Sequence, residues 1–263
     1  MRQSPAGPKS SAPALDRGID VVELLASSKG PVSFSDILSA LNIPKASLVR
    51  ILNTLCRRGM LARVDKSKHY RLGVKLLYLG NRLQEELRLR TAAWPFMQRL
   101  ADEVRETVEL SILDRDQLVL IEQIEGPGEV RVYYRVGAAY PYFHAVSVGK
   151  VYLAHMDAAK RRDVLERMGL PAVTPWTITD RDTLERELVE VLTRGYAIED
   201  QELRRGVRRV AAPIYDHDRR VGGCLSIAAP VFRLGPDDWS RLGLRLAAVT
   251  AEISESFGGA LQP

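Results

Sequence analysis

Apolar residues at Leu15, Ile19, Val22 and Leu25/Ala26 recur at helical spacing, and the run predicts a helix that stops at Lys29-Gly30-Pro31. Ser33 is placed to cap a second short helix, whose apolar face is Phe34, Ile37, Leu38 and Leu41. A turn, Asn42-Ile43-Pro44, leads into a third helix from Lys45 to Arg58, with Leu48, Ile51, Leu52 and Leu55 on one face. Gly59 ends it. The opposite face carries Lys45, Ala46, Ser47, Val49, Arg50, Asn53 and Arg57. Two short helices joined by a tight turn, the second polar and basic outside, predict a helix-turn-helix that presents its second helix to the DNA major groove. Two short strands follow, Met60–Val64 and His69–Leu72, joined by Asp65-Lys66-Ser67-Lys68. That hairpin with a basic tip reads as the wing of a winged helix-turn-helix.

Leu72, Leu76, Leu79 and Leu83 then fall at spacings of four, three and four, a seam expected on a helix that packs lengthwise against another helix. Pro95 is expected to break or restart the helical pattern before a further helix over 96–106. Strand patterns follow over Val108–Leu113, Leu118–Ile124 and Val130–Val136, then helical ones over Val148–His155, Ala158–Met168 and Arg181–Arg194. Two more strands, Arg208–Tyr215 and Val221–Ala228, flank the turn Asp216-His217-Asp218, and a helix over Asp237–Phe257 closes the pattern. Strands, then helices, then strands predict an α+β domain, a mostly antiparallel sheet with helices packed on it.

Charge changes this picture most. Residues 1–90 hold 16 Lys and Arg against 7 Asp and Glu, whereas residues 91–263 hold 22 against 26. A basic head on a mildly acidic body is the footprint of one domain that docks on phosphates beside one that does not. No apolar run approaches the ~18 residues of a membrane span, so no membrane partner is expected. The Ala/Pro/Ser-rich start reads as a disordered tail over residues 1–13, without a signal core, and points to a cytoplasmic protein. Cys56 and Cys224 are expected to be two separate reduced thiols, and the four histidines fit no metal-ligand spacing, so neither a metal nor another cofactor is expected.

Several separated motifs tie the two halves together. They are Ile43-Pro44-Lys45-Ala46-Ser47 leading to Arg50-Ile51-Leu52 and Gly59-Met60-Leu61, then His144-Ala145-Val146-Ser147-Val148-Gly149-Lys150, and then Gly195 to Glu202. Gly206 to Pro213 and Leu225 to Pro230 complete the series. In this order and spacing the chain resembles the IclR family of bacterial transcriptional regulators from about Leu15 to Phe257. The resemblance implies a winged helix-turn-helix over 14–73, a linker helix over 74–92 and a GAF-like effector-binding domain over 93–258. It also implies a homodimer or homotetramer on a palindromic double-stranded operator, with a small-molecule effector that alters DNA binding.

At the DNA end, Ser47 and Arg50 are expected at base edges or nearby phosphates, with Lys45 at the helix start and Ala46 and Asn53 on the same face. Arg57, Lys66 and Lys68 are expected on phosphates. The resemblance implies an effector pocket built from Ser147 and Val148 before the Gly-Lys helix, Glu199, Val207, Arg209, Ser226 and Ala228 from the later motifs, and Val130 and Tyr133 from the third strand. Arg209 departs from the family pattern, which commonly has a small residue there. It has two readings: a two-pronged grip on an anionic effector, or a pairing with Glu199 or solvent. Nearby tyrosines, together with helix-start amides beside Ser147, favour an aromatic or medium-sized carboxylic acid as effector, although tyrosines at strand spacing also serve as core.

No catalytic site is expected. Ser147 has no Gly-x-Ser-x-Gly elbow, Gly149-Lys150 is not a phosphate loop, and adjacent Glu199 and Asp200 face opposite sides of a strand. The competing class is a catalytic or purely ligand-binding second domain whose basic head attaches to nucleic acid nonspecifically.

Overall fold

The computed structural model describes residues 11–64 and 68–257, which form two compact units divided between Glu86 and Leu87. In the first, α1 (Pro13–Ser27), α2 (Phe34–Leu41) and α3 (Lys45–Arg57) enclose a core of Val21, Leu25, Ile37, Ile43, Leu48 and Leu52. Ser33 Oγ accepts from the Asp36 amide at 3.1 Å, so the expected cap is in place. Asn42 takes a left-handed conformation (φ 47°) to end α2, and Pro44 opens α3 with a φ already suited to a helix. Gly59, at φ 74°, turns the chain out of α3.

The expected hairpin gains a third strand: β1 (Val32–Ser33), β2 (Leu61–Arg63) and β3 (His69–Leu72) pair antiparallel in the order β1-β3-β2. Residues 65–67, and with them Lys66, lie outside the described residues, as do residues 1–10 of the expected tail. The leucine seam is not one continuous helix, because Leu72 belongs to β3 and α4 runs only over Lys75–Glu86. Leu77, Tyr78, Leu79 and Leu83 of α4 are exposed in the single chain.

The second unit opens with α5 (Arg88–Val104), which runs unbroken through Pro95. Burial of Leu89, Ala93, Met97 and Leu100 on both sides of the proline holds the helix across the missing hydrogen bond. Six antiparallel strands follow in the order β6-β5-β4-β9-β8-β7: β4 (Thr107–Asp114), β5 (Gln117–Ile124), β6 (Ala139–Tyr140), β7 (Ala197–Asp200), β8 (Val207–Tyr215) and β9 (Val221–Pro230).

The strand expected over Val130–Val136 does not form. That stretch is irregular, and the chain reaches the ladder only at Ala139 and Tyr140, opposite Val119 and Leu118. Its alternation offers no single apolar face: Val132 is buried, while Val130 and Tyr133 are exposed.

The sheet has two unlike faces. Val108, Leu110, Val210, Ala212, Leu225 and Ile227 pack against α5 and α9 (Trp239–Phe257) in an apolar core. The other face carries Cys224, Ala211 and Leu120 under α6 (Ser147–His155) and α8 (Arg181–Arg194), with α7 (Ala158–Met168) beside them. Register puts Thr107, Ala228, Arg209 and Glu199 in one row across β4, β9, β8 and β7, with Glu109, Ser226, Ala211 and Ala197 in the row two residues along. The polar residues of these rows share the face that α6 covers.

α6 lies close to the loop before it, and Gly149 permits this: a Cβ there would fall 2.1 Å from the Phe143 carbonyl oxygen. Gly149→Ala is therefore expected to destabilise the fold by about 1–3 kcal/mol through backbone crowding. Gly80→Ala, in an exposed stretch of α4 with nothing within 4 Å, is expected to stabilise by about 0.5–1 kcal/mol. Denaturant midpoints of the two variants check the contrast.

Candidate nucleic-acid interface and buried polar site

In the first unit, α3 presents Lys45, Ala46, Val49, Arg50, Asn53 and Arg57 to solvent over successive turns, as its buried side of Leu48 and Leu52 requires. Ser47 is half-buried at the edge of this stripe, and Lys68 is exposed next to β3. Asn53 is not free on the surface: its Oδ1 accepts from Arg63 Nη2 at 2.7 Å. Arg63, on β2, also lies over the Tyr70 ring at 5.6 Å, so it braces the wing against the outer face of α3. The pattern of α3 gives no sign of Arg63; only its position in a basic hairpin does. Ser47 and Arg50 also line an apolar groove of about 650 Å³ between α1 and α3, walled by Leu15, Ile19, Ile51 and Leu55.

In the second unit the expected effector residues divide. Glu199, Arg209, Ser226 and Ala228 are buried together on the sheet face under α6, with Val207 half-buried two residues before Arg209 on β8, opposite Pro230. Ser147 and Val148 are buried at the start of α6. Val130 and Tyr133 stand apart, exposed on the irregular loop, and the Val130 carbonyl accepts from Arg233.

Arg209 is the centre of the buried group. Its Nε donates to Glu109 Oε2 at 3.1 Å, and its Nη1 lies 3.3 Å from both oxygens of Glu199. All three side chains are fully buried. Glu109 Oε2 also accepts from the Tyr140 hydroxyl at 3.1 Å and from Ser226 Oγ at 3.3 Å. Of the two readings of Arg209, the pairing with Glu199 is the one observed, and Glu109 is a second partner. Glu109 carried one sequence signal, a lone acid in the apolar strand Val108-Glu109-Leu110, but its partner lies 100 positions away.

Tyr140 stacks on Tyr134 with ring centroids 4.6 Å apart, Arg209 lies 6.0 Å from the Tyr140 ring and Arg204 lies 5.2 Å from the Tyr134 ring. Lys150 of α6 forms a second buried pair, donating to Glu202 Oε1 at 2.6 Å and to the Ile198 carbonyl at 2.9 Å.

Burial sets the protonation of this layer. It raises the Glu199 carboxyl in spite of the opposing pull of Arg209 and Lys150. Burial likewise lifts Glu202 to about 7, with Lys150 acting the other way. For Arg209 burial disfavours the charge, but Glu109 and Glu199 outweigh it, and the guanidinium stays charged. Among the described residues Ser147 Oγ is buried without a hydrogen-bond partner.

Two measurements follow from these pairs. Arg209→Met leaves two carboxyls uncompensated and is expected to destabilise by about 3–5 kcal/mol in urea unfolding. A raised Glu202 means the folded state holds a proton that the unfolded chain gives up near 4.5. The stability Glu202 contributes is thus complete below about 4.5 and is lost as pH rises towards about 7. The fall in melting temperature between pH 5 and pH 7.5 is expected to be shallower in Glu202→Gln than in the parent chain.

The chain matches two family models, the IclR helix-turn-helix domain over residues 14–65 and the bacterial transcriptional regulator IclR C-terminal domain over residues 82–255. It is 28% identical over 248 residues to the acetate operon repressor of Salmonella typhimurium, covering 94% of this chain and 90% of that protein. It is 31% identical over 257 residues to the transcriptional repressor AllR of Klebsiella pneumoniae, covering 98% and 94%. Among solved structures, an IclR transcriptional regulator from Alicyclobacillus acidocaldarius aligns with a TM-score of 0.83 at 28% identity, covering 95% of this chain and all of that one. An IclR homologue from Microbacterium hydrocarbonoxydans, complexed with 4-hydroxybenzoate, aligns at 0.81 with 27% identity, covering 94% and 100%.

Proposed function

The chain belongs to the IclR family of bacterial transcriptional regulators, and from that premise we propose a ligand-responsive, sequence-specific DNA-binding regulator. The observation that carries the reading is the exposed stripe of α3, where Lys45, Arg50 and Arg57 stand outward and Asn53 is braced from the wing by Arg63. Arg50 is the residue we assign to base edges, since one guanidinium can bond a guanine at two atoms. Lys45, Ala46, Ser47 and Asn53 share that face. Arg57, Lys66 and Lys68 are assigned to phosphates, giving affinity and salt dependence without sequence information.

The second unit is proposed as the effector domain, working in a homodimer or homotetramer on a palindromic operator. We place the reading head at 14–73, a linker at 74–92 that takes in α4 and the first turn of α5, and the effector domain proper at 93–258. Within the last, the layer between the sheet and α6, with Ser147, Val148, Glu199, Val207, Arg209, Ser226 and Ala228, is the candidate site. Val130 and Tyr133, expected in the site, stand exposed on the irregular loop. A relative holding 4-hydroxybenzoate supports an aromatic acid as effector. Arg209 does not add to that support, because two glutamates already engage it. A nonspecific basic head on a ligand-binding domain remains the competing reading, and a footprint without sequence preference is its signature.

Arg50→Ala is expected to weaken binding to a selected operator by about 1–3 kcal/mol in a gel-shift titration at fixed salt. Equal affinity of variant and parent removes Arg50 from the contact set.

A further inference from the structure

We propose that Arg63, on the wing strand β2, sets a base preference of α3 by holding Asn53 as a hydrogen-bond donor that takes guanine rather than adenine. The proposal rests on the reading of α3 as the helix that enters the DNA major groove.

Asn53 lies on the exposed stripe of α3, three residues after Arg50 and therefore beside it on the helix surface. An asparagine amide has two unlike ends, an oxygen that only accepts and an NH2 that only donates. Its ordinary contact in the major groove uses both at once: Oδ1 accepts from the amino group of adenine while Nδ2 donates to N7. That contact needs the oxygen turned to the base.

In this chain the oxygen is turned to the wing. Arg63 Nη2 donates to Asn53 Oδ1 at 2.7 Å. A guanidinium carries no acceptor, so the end of the amide that meets it has to be the oxygen, and Nδ2 is the end left for a base. The bond is charge-assisted and stronger than the neutral one an adenine amino group offers. An adenine that used the remaining lone pair would bring its amino hydrogens up to an oxygen whose negative charge a cation already holds. Arg63 is itself fixed in place. Its Cα stands opposite Tyr70 in the β2–β3 ladder, its guanidinium lies 5.6 Å from the Tyr70 ring centroid, and Tyr70 is buried in the core of the first unit.

The result is a reading surface made of donors. Arg50 offers only N–H groups, Asn53 offers Nδ2, and Arg63 keeps N–H groups beyond the one given to Asn53. Guanine shows two acceptors, O6 and N7, along its major-groove edge, whereas adenine shows one acceptor and one donor. A surface of donors complements the first edge and meets the amino hydrogens of the second head-on.

Selection of binding sites from a randomised duplex library, run with the full chain and with Asn53→Ala, locates the base pairs that Asn53 reads. At those positions the parent chain is expected to enrich guanine, and Asn53→Ala to lose the preference. Replacing that guanine by adenine in a selected site is expected to cost the parent about tenfold in a gel-shift titration at fixed salt. In Arg63→Met, which removes the donor and frees the amide to turn, the same replacement is expected to cost no more than about threefold. If Arg63→Met does not fold, Arg63→Thr, a residue suited to a strand, carries the same expectation.

Adenine enriched by the parent at the Asn53 positions, no position altered by Asn53→Ala, or an unchanged guanine preference in the folded Arg63 variant would each overturn the proposal. When the parent still selects a defined site, these results sink only the roles given to Asn53 and Arg63. A parent chain that enriches no sequence at all sinks the regulator reading with them.

Discussion

The second unit depends on one buried guanidinium. Arg209 sits on β8, and its two carboxyl partners come from β7 and β4, so a single side chain spans the order β4-β9-β8-β7 from within. Ser226, on the strand between, donates to the same Glu109 oxygen. Burying three charges is unfavourable by itself, and the pairing offsets that only when the geometry is kept. The cluster therefore acts more as a condition on the fold than as a source of stability. Any packing that separated β4 from β7 would strand a charge away from water, so strand order and register are held by electrostatics as well as by apolar area.

The helix over this cluster is fixed by related means. Lys150 reaches from α6 to Glu202 and the Ile198 carbonyl, and Gly149 lets the preceding loop approach at Phe143. Tyr140, at the end of that loop's short strand, donates to Glu109. Sheet, helix and loop thus converge on the same few carboxyls. A molecule that enters the layer must either replace these hydrogen bonds or complete the ones left open at Glu109 and Arg209.

How far the sequence disclosed this follows from the range of each interaction. The three helices of the first unit, the Ser33 cap and the outward stripe of α3 depend on neighbours three or four residues away, and their periodicity carries them. The same local logic misread Pro95, where burial of Ala93 and Met97 overrode a helix breaker, and Val130–Val136, where the alternation offers no single apolar face because Val132 is buried and Val130 exposed. The Arg209 cluster was half legible. Glu199 sits opposite it across one strand pair and was named as a partner, but Glu109 lies 100 positions upstream and was not. The Asn53–Arg63 bond, between a helix and a wing strand, was invisible for the same reason. Long-range polar pairs leave no period in a sequence; at most they leave an acid or base where an apolar residue was due.

The two units handle charge in opposite ways, and this bears on the proposed control of one by the other. On α3 the cations are exposed, so in the proposed DNA contact their attraction to phosphates is spread over many weak, salt-screened contacts that a small molecule elsewhere cannot directly displace. In the second unit a few charges are buried, where each pairing is worth more because water does not compete. A ligand shifts an equilibrium only by its differential affinity for the two states. Unpaired, buried hydrogen-bonding atoms are the kind of place where that difference is large, because a ligand either satisfies them in one state or leaves them orphaned in the other. Regulation of a broad, exposed DNA contact from a small, buried, incompletely satisfied polar cluster is thus the direction in which the free energies of this chain allow control to run.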